Sequence, residues 1–130
     1  MANLQSLDQL ISLKGKRALV TGAAAGIGKA IVYRLAEAGA DLDIVDIDGE
    51  SLAVVKSELE GLGVDIRLHI VDISKKEEID RLWENLEGDG PDILVNNAGI
   101  YPLKSFLEVD EAFYRRVMET NLDSIYWMCQ

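Results

Sequence analysis

The chain has 130 residues, 48% hydrophobic and 28% charged, the balance of one soluble globular domain. Its formal charge of -10 excludes nucleic-acid backbone binding as the main task, since that needs a basic face. The one cysteine, Cys129, has no partner for an internal disulfide and sits in an apolar run. It therefore reads as a packed thiol in a reducing, cytoplasmic setting. No apolar run approaches the roughly 20 residues that cross a membrane.

The opening stretch, "MANLQSLDQLISLK", has no basic start and no long apolar core, so it is not a secretory signal. Leu4, Leu7, Leu10 and Ile11 have helical spacing, and residues 1–14 read as a leader, either a short helix on the domain or an extension. From residue 15 to residue 130 the pattern is regular. "RALVT" is a short apolar run suited to a strand buried on both faces. "GKAIVYRLAEAG" is a helix with Ile27, Ile31, Leu35 and Ala38 on one stripe and Gly39 as its stop. "DLDIVD" predicts a second strand, and "ESLAVVKSELEGLG" a second helix closing on glycine. "DIRLHIV" alternates Ile66, Leu68 and Ile70 as a third strand, leaving His69 on the less buried face with no second metal ligand nearby. "SKKEEIDRLWENLEG" opens with Ser74 and Glu77 in capping-box spacing, followed by the stripe Ile79, Leu82, Trp83 and Leu86. Lys75 and Lys76 read as a solvated helix start. "DILVNN" is a fourth strand, and Asp110 can cap a last helix running to the end, with "YRR" at 114–116 on an exposed face where its basic residues could meet a partner. Strands alternating with helices of this length predict an α/β fold with a parallel sheet.

The stretch "TGAAAGIG" at residues 21–28 is almost bare of side chains and lies between the first strand and the first helix. A parallel sheet opens its ligand crevice there. Backbone N–H groups can approach a bound group, and the helix N-terminus favours an anion, so a diphosphate suits the place. Gly22 makes the turn, Gly26 permits close approach and Gly28 lets the helix pack on the strand; a merely tight connection is the simpler alternative. Asp46, at the tip of the second strand, can accept hydrogen bonds from ribose hydroxyls. It also opposes a 2′-phosphate: unit charges about 4 Å apart interact by roughly 4 kcal/mol at an effective dielectric near 20. Even a quarter of that favours NAD over NADP several-fold. Asp41, Asp43 and Asp48 read instead as solvated aspartates.

"TGAAAGIG" together with "NNAG" at 96–99 resembles the short-chain dehydrogenase/reductase family. The spacing of Gly22, Gly26 and Gly28 fits T-G-x-x-x-G-x-G, the form of its single-domain branch. The resemblance implies a Rossmann-type, doubly wound parallel sheet, here in the order 3-2-1-4, with helices on both faces and NAD across the strand ends. It implies that the loop from Gly22 through Ala24, Ala25 and Gly26 to Gly28 holds the diphosphate, with Ile27 covering the cofactor. Asp46 and Ile47 then flank the adenosine ribose, and Asp72 and Ile73 touch adenine; Asp72 could instead add charge to the start of the next helix. Asn97, Ala98 and Gly99 line the cofactor, whereas Asn96 ties neighbouring strands. Asn121, on a helical face with Val117 and Ile125, corresponds to the family's active-site asparagine, which helps position a water in the proton relay. A purely structural amide is the alternative for each of these asparagines.

The family moves a hydride between nicotinamide and an alcohol or carbonyl carbon, with a serine and a Y-x-x-x-K tyrosine handling oxygen and proton. No tyrosine here is followed four residues later by lysine. The chain is thus expected to hold about half of the family's domain. The apolar end "IYWMCQ" and the open edge of the fourth strand call for cover, by a C-terminal half or a second copy. The first expectation is part of an NAD-dependent oxidoreductase acting on a small alcohol or ketone, with no metal, nucleic acid or membrane partner. A catalytically inactive dinucleotide-binding module is the alternative. A methyltransferase-type Rossmann binder is disfavoured by "NNAG" and the glycine spacing.

Overall fold

Ala18, Leu19 and Val20 have no contact with solvent and Thr21 almost none, as a strand covered on both faces requires. This strand, β1 (Arg17–Thr21), is central in a computed structural model that describes residues 6–130. It pairs in parallel with β2 (Asp41–Asp46) and with β4 (Ile93–Val95), and β2 pairs with β3 (Ile66–Ile70). The order is β3-β2-β1-β4, the Rossmann-type arrangement anticipated from the sequence. Register brings Val20 opposite both Ile44 and Val95.

The helices are α1 (Leu7–Ile11), α2 (Gly26–Glu37), α3 (Gly49–Leu59), α4 (Lys76–Asn85), α5 (Glu111–Met118) and α6 (Ser124–Cys129). Ser6 caps α1 through a reciprocal bond with Gln9, so the leader is helical there; Leu4 lies outside the described residues. On one sheet face, Val20, Leu42 and Ile44 pack with Val32 of α2 and Leu52 of α3. On the other, Leu19 and Val45 pack with Ile79 and Leu82 of α4 and Met128 of α6.

The α2 stripe differs from the expected one. Its buried positions are Gly28, Val32 and Ala36, while Ile27 is 74% exposed. Rotating the contact face onto Gly28 lets the helix start approach β1 closely and turns Ile27 outward.

Asp43 is not a solvated aspartate; it is completely buried. It lies on the α4 side of the sheet, where its carboxylate accepts from Arg67 Nε and Nη2 at 2.7 Å and meets His69 Nε2 at 2.7 Å. Burial pushes its carboxyl up, but the bonds from His69 and Arg67 outweigh this and hold it below the usual carboxylate range. His69 accordingly faces inward, and Ile70, at 68% exposure, is the outward residue of β3. Arg67 reaches on to Asp89, tying β3 to the connection before β4.

The expected single last helix is interrupted. A π turn at Glu119–Asp123 separates α5, capped by Asp110, from α6. Its wider turn breaks the i, i+4 register, so Ser124 and Met128 are the buried positions and Ile125 is 38% exposed. Met128 is therefore not among the side chains left facing water, whereas Tyr126 is.

Candidate functional site

The carboxyl ends of the four strands and one face of α5 enclose a cavity of about 280 Å³. Its first wall is the β1–α2 connection. Gly22 has φ +66°, and a Cβ there would lie 2.8 Å from the Ala98 Cα. A Cβ on Gly28 would stand 2.0 Å from the Gly22 carbonyl oxygen, so the helix seats on the loop only as glycine. Gly26 has φ +55° and nothing within 4 Å of a built Cβ: it is required for its backbone conformation and faces open space.

The N-cap of α2 is Ala25, which offers no side-chain acceptor, and no acidic residue lies in the first turn. Helices normally answer their first N–H groups with a Ser, Thr, Asp or Asn oxygen. This one presents them unanswered by any side chain, with the positive end of the helix dipole behind them.

Asp46 forms the second wall. Its Oδ2 accepts from Ala24 N–H at 3.0 Å and its Oδ1 from Asp48 N–H at 3.2 Å. The carboxylate thus anchors the alanine-rich loop to the tip of β2, a tie invisible in the spacing. Beside it, Ile47 is 69% exposed and lines the cavity.

Asp72 and Ile73 follow β3. The Ser74 hydroxyl and N–H donate to Asp72 Oδ1 at 2.6 and 3.1 Å, and Lys75 approaches Oδ2 at 3.2 Å. The bond from the Ser74 hydroxyl leads the effects that hold this carboxyl below the usual range. Because Ser74 is engaged there, it does not cap α4, and the expected box with Glu77 is absent. Lys75 is the N-cap residue, and Glu78 turns back instead to accept from Asp72 N–H at 2.7 Å.

The third wall comes from β4 and the loop after it. Thr21 Oγ1 accepts from Asn97 N–H and Ala98 N–H, both at 3.1 Å. Asn97 Nδ2 donates to the carbonyls of Thr21 and Gly22 at 3.0 and 3.2 Å. It is therefore Asn97 that ties β4 to β1, not Asn96, whose amide donates to the exposed Cys129 Sγ at 3.3 Å. Ala98 and Gly99 line the cavity as expected, whereas Asn97 does not, its amide being engaged with the carbonyls of Thr21 and Gly22. Asn121, within the π turn, is held at both ends by one residue: its Oδ1 accepts from Ile100 N–H at 2.8 Å and its Nδ2 donates to Ile100 O at 2.9 Å. Its amide fixes the loop after "NNAG" rather than projecting into the cavity.

Gly22, Asp46 with Ile47, Asp72 with Ile73, and Ala98 with Gly99 thus line one crevice, while Ala24, Ala25, Gly26, Ile27 and Gly28 are not part of its lining. A family model described as short chain dehydrogenase matches residues 16–130. The chain belongs to the short-chain dehydrogenase family. It is 38% identical over 118 residues to 3beta-hydroxysteroid dehydrogenase 2 of Eggerthella lenta, covering 88% of this chain and 45% of that protein. A short-chain type dehydrogenase/reductase from Mycobacterium marinum superposes with a TM-score of 0.89 at 32% identity, over 97% of this chain and 52% of that one. L-sorbose reductase from Gluconobacter frateurii, solved with NADPH and L-sorbose, gives 0.86 at 29% identity, over 92% and 46%. The chain spans about half the length of these three proteins.

Two residues of this site escaped the sequence reading. Thr21 looked like the end of a buried strand, although a hydroxyl in an otherwise apolar run signals a buried polar tie. Arg116 read as solvated surface, yet it lines the cavity together with Thr120, one helical turn on.

Proposed function

We propose that these residues are the dinucleotide-binding part of an NAD-dependent oxidoreductase that interconverts a small alcohol and its carbonyl compound. The observation that carries this is the unanswered N-terminus of α2 beside a loop where side chains are excluded. That is a fit for a diphosphate: N–H donors, a favourable dipole and room for close approach. Gly22, Ala24, Ala25, Gly26 and Gly28 form the cradle, and Ile27 flanks it. Asp46 and Ile47 take the adenosine ribose, with the Asp46 charge favouring NAD over NADP. Asp72 and Ile73 bound the adenine side, and Ala98 and Gly99 carry the crevice toward the nicotinamide end. When bound, the nicotinamide supplies or accepts the hydride. Asn121 takes the place of the family's active-site asparagine, which helps position a water in the proton relay, while its side-chain amide holds Ile100 and so the "NNAG" loop against the π turn. The residue that moves the proton is not among these 130, because no tyrosine stands four before a lysine. Exposed Ile125 and Tyr126, and the unpaired edge of β4, are where a further segment of the fold or a second copy packs. A cytoplasmic setting, in which Cys129 stays a thiol, belongs to the same proposal.

Calorimetric titration of the 130-residue chain tests this. NAD is expected to bind with saturation and more tightly than NADP, while no alcohol or ketone changes nicotinamide absorbance. Absence of dinucleotide binding would refute the proposal. Robust turnover by these residues alone would refute its account of the proton donor.

A further inference from the structure

The cavity at the strand ends holds two acidic residues, Asp46 and Asp72, and one basic residue, Arg116. In a chain of formal charge -10, a cation lining the crevice meant for an anionic dinucleotide needs a reason. Its neighbour Arg115 is occupied by Glu111 at 2.8 Å. Among the described residues, the Arg116 guanidinium has no hydrogen-bond or ion-pair partner; its backbone carbonyl accepts from Glu119 N–H and from Thr120 Oγ1, the latter at 2.9 Å. Thr120 sits one turn further along and lines the same cavity, so this face of the helix is turned to the crevice.

We propose that Arg116 is a wall of the adenine slot, its guanidinium plane lying against the ring face while nearly buried Ile73 supplies the apolar side. This rests on the NAD reading and adds to it a residue that grips the half common to NAD and NADP. Three features favour the ring over a 2′-phosphate. Asp46, which repels such a phosphate, lines the same cavity. Asp72 and Ile73, from the β3 end, share the cavity with Arg116 and offer a carboxylate for an exocyclic amine beside an apolar surface. A planar, weakly hydrated guanidinium stacks on aromatic rings, and exposed contacts of this kind are worth a several-fold change in affinity.

The test is calorimetry of the full chain with NAD, NADP and ADP-ribose, for wild type, R116A and R116K. R116A is expected to weaken all three by a similar factor, about five-fold. R116K, which keeps the charge but not the plane, should recover only part of that loss. Arg116 is exposed on a helix and alanine favours helix, so the fold survives the change; circular dichroism melts verify this. Unchanged affinities in R116A would overturn the inference and leave the NAD reading standing. A loss confined to NADP would also overturn it, assigning Arg116 to the 2′-phosphate. Wild type that binds none of the three ligands would overturn the underlying reading itself.

Discussion

Asp43→Asn keeps the size of a wholly buried side chain and removes its charge. In the wild type the carboxylate receives two bonds from Arg67 and one from His69, all at 2.7 Å, with Arg17 Nη1 at 3.8 Å. Breaking a buried pair by changing one partner costs about 3–5 kcal/mol, mainly because the other charge is stranded. Here the loss falls below that range. Arg67 keeps Asp89, its side chain is 30% exposed and can regain water, and the asparagine oxygen still accepts one bond. The expected destabilisation is roughly 2–3 kcal/mol, a large fraction of a typical domain's total. Urea unfolding followed by tryptophan fluorescence measures it, since Trp83 and Trp127 both pack against the core on that side of the sheet.

The same variant has a signature in pH. Asp43 titrates lower when folded than when unfolded, so its contribution is present above the unfolded pKa near 4 and is lost as pH falls through the folded value. The gap between wild type and D43N should therefore be full at neutral pH and close on acidification. A gap below about 0.5 kcal/mol at neutral pH, or one that widens in acid, would refute the view of Asp43 as a buried, paired charge.

Two other changes probe the crevice. Asp46→Ala should narrow the proposed preference for NAD over NADP and weaken NAD as well, because Ala24 N–H loses its acceptor; titrations with both dinucleotides read the ratio. Gly28→Ala places a methyl 2.0 Å from the Gly22 carbonyl oxygen, backbone that cannot swing away, so α2 must shift and dinucleotide affinity should fall at least ten-fold. Retained affinity in G28A would show that the seating of the helix on the loop is not what shapes the site.

The sheet was legible because burial on both faces demands mostly apolar runs, and "RALVT" and, apart from Asp43, "DLDIVD" supply them with glycine or aspartate at their ends. Asp43 shows where that logic stops. Polarity alone places a charged residue in water, and only the register of β2 with β3 reveals that Arg67 stands opposite it. The π turn was illegible for a related reason: helical stripes assume an even period, and one wide turn at residues 119–123 shifts every later position. Asn96 and Asn97 are adjacent amides, and which one faces Gly22 is decided by the direction of β4 as it leaves the sheet. Arg116 is a long side chain on an exposed helix, and the crevice it lines exists only once four strand ends are assembled.

The crevice is held by side chains that bind backbone across elements. Asp46 of β2 holds Ala24 of the glycine loop, Thr21 of β1 holds Asn97 and Ala98, and Asn121 of the π turn holds Ile100. Glu78 of α4 holds Asp72. Three of the connections that line the cavity, those after β1, β3 and β4, are thus pinned by a group from a different element, and each pin satisfies a backbone N–H near the site. A loop poor in side chains has many conformations to lose on binding, which would weaken any ligand. These pins remove that freedom at folding, so the bare loop can meet an anion with its N–H groups already aimed. On this logic, the polar residues around the glycines matter to affinity as much as the glycines do.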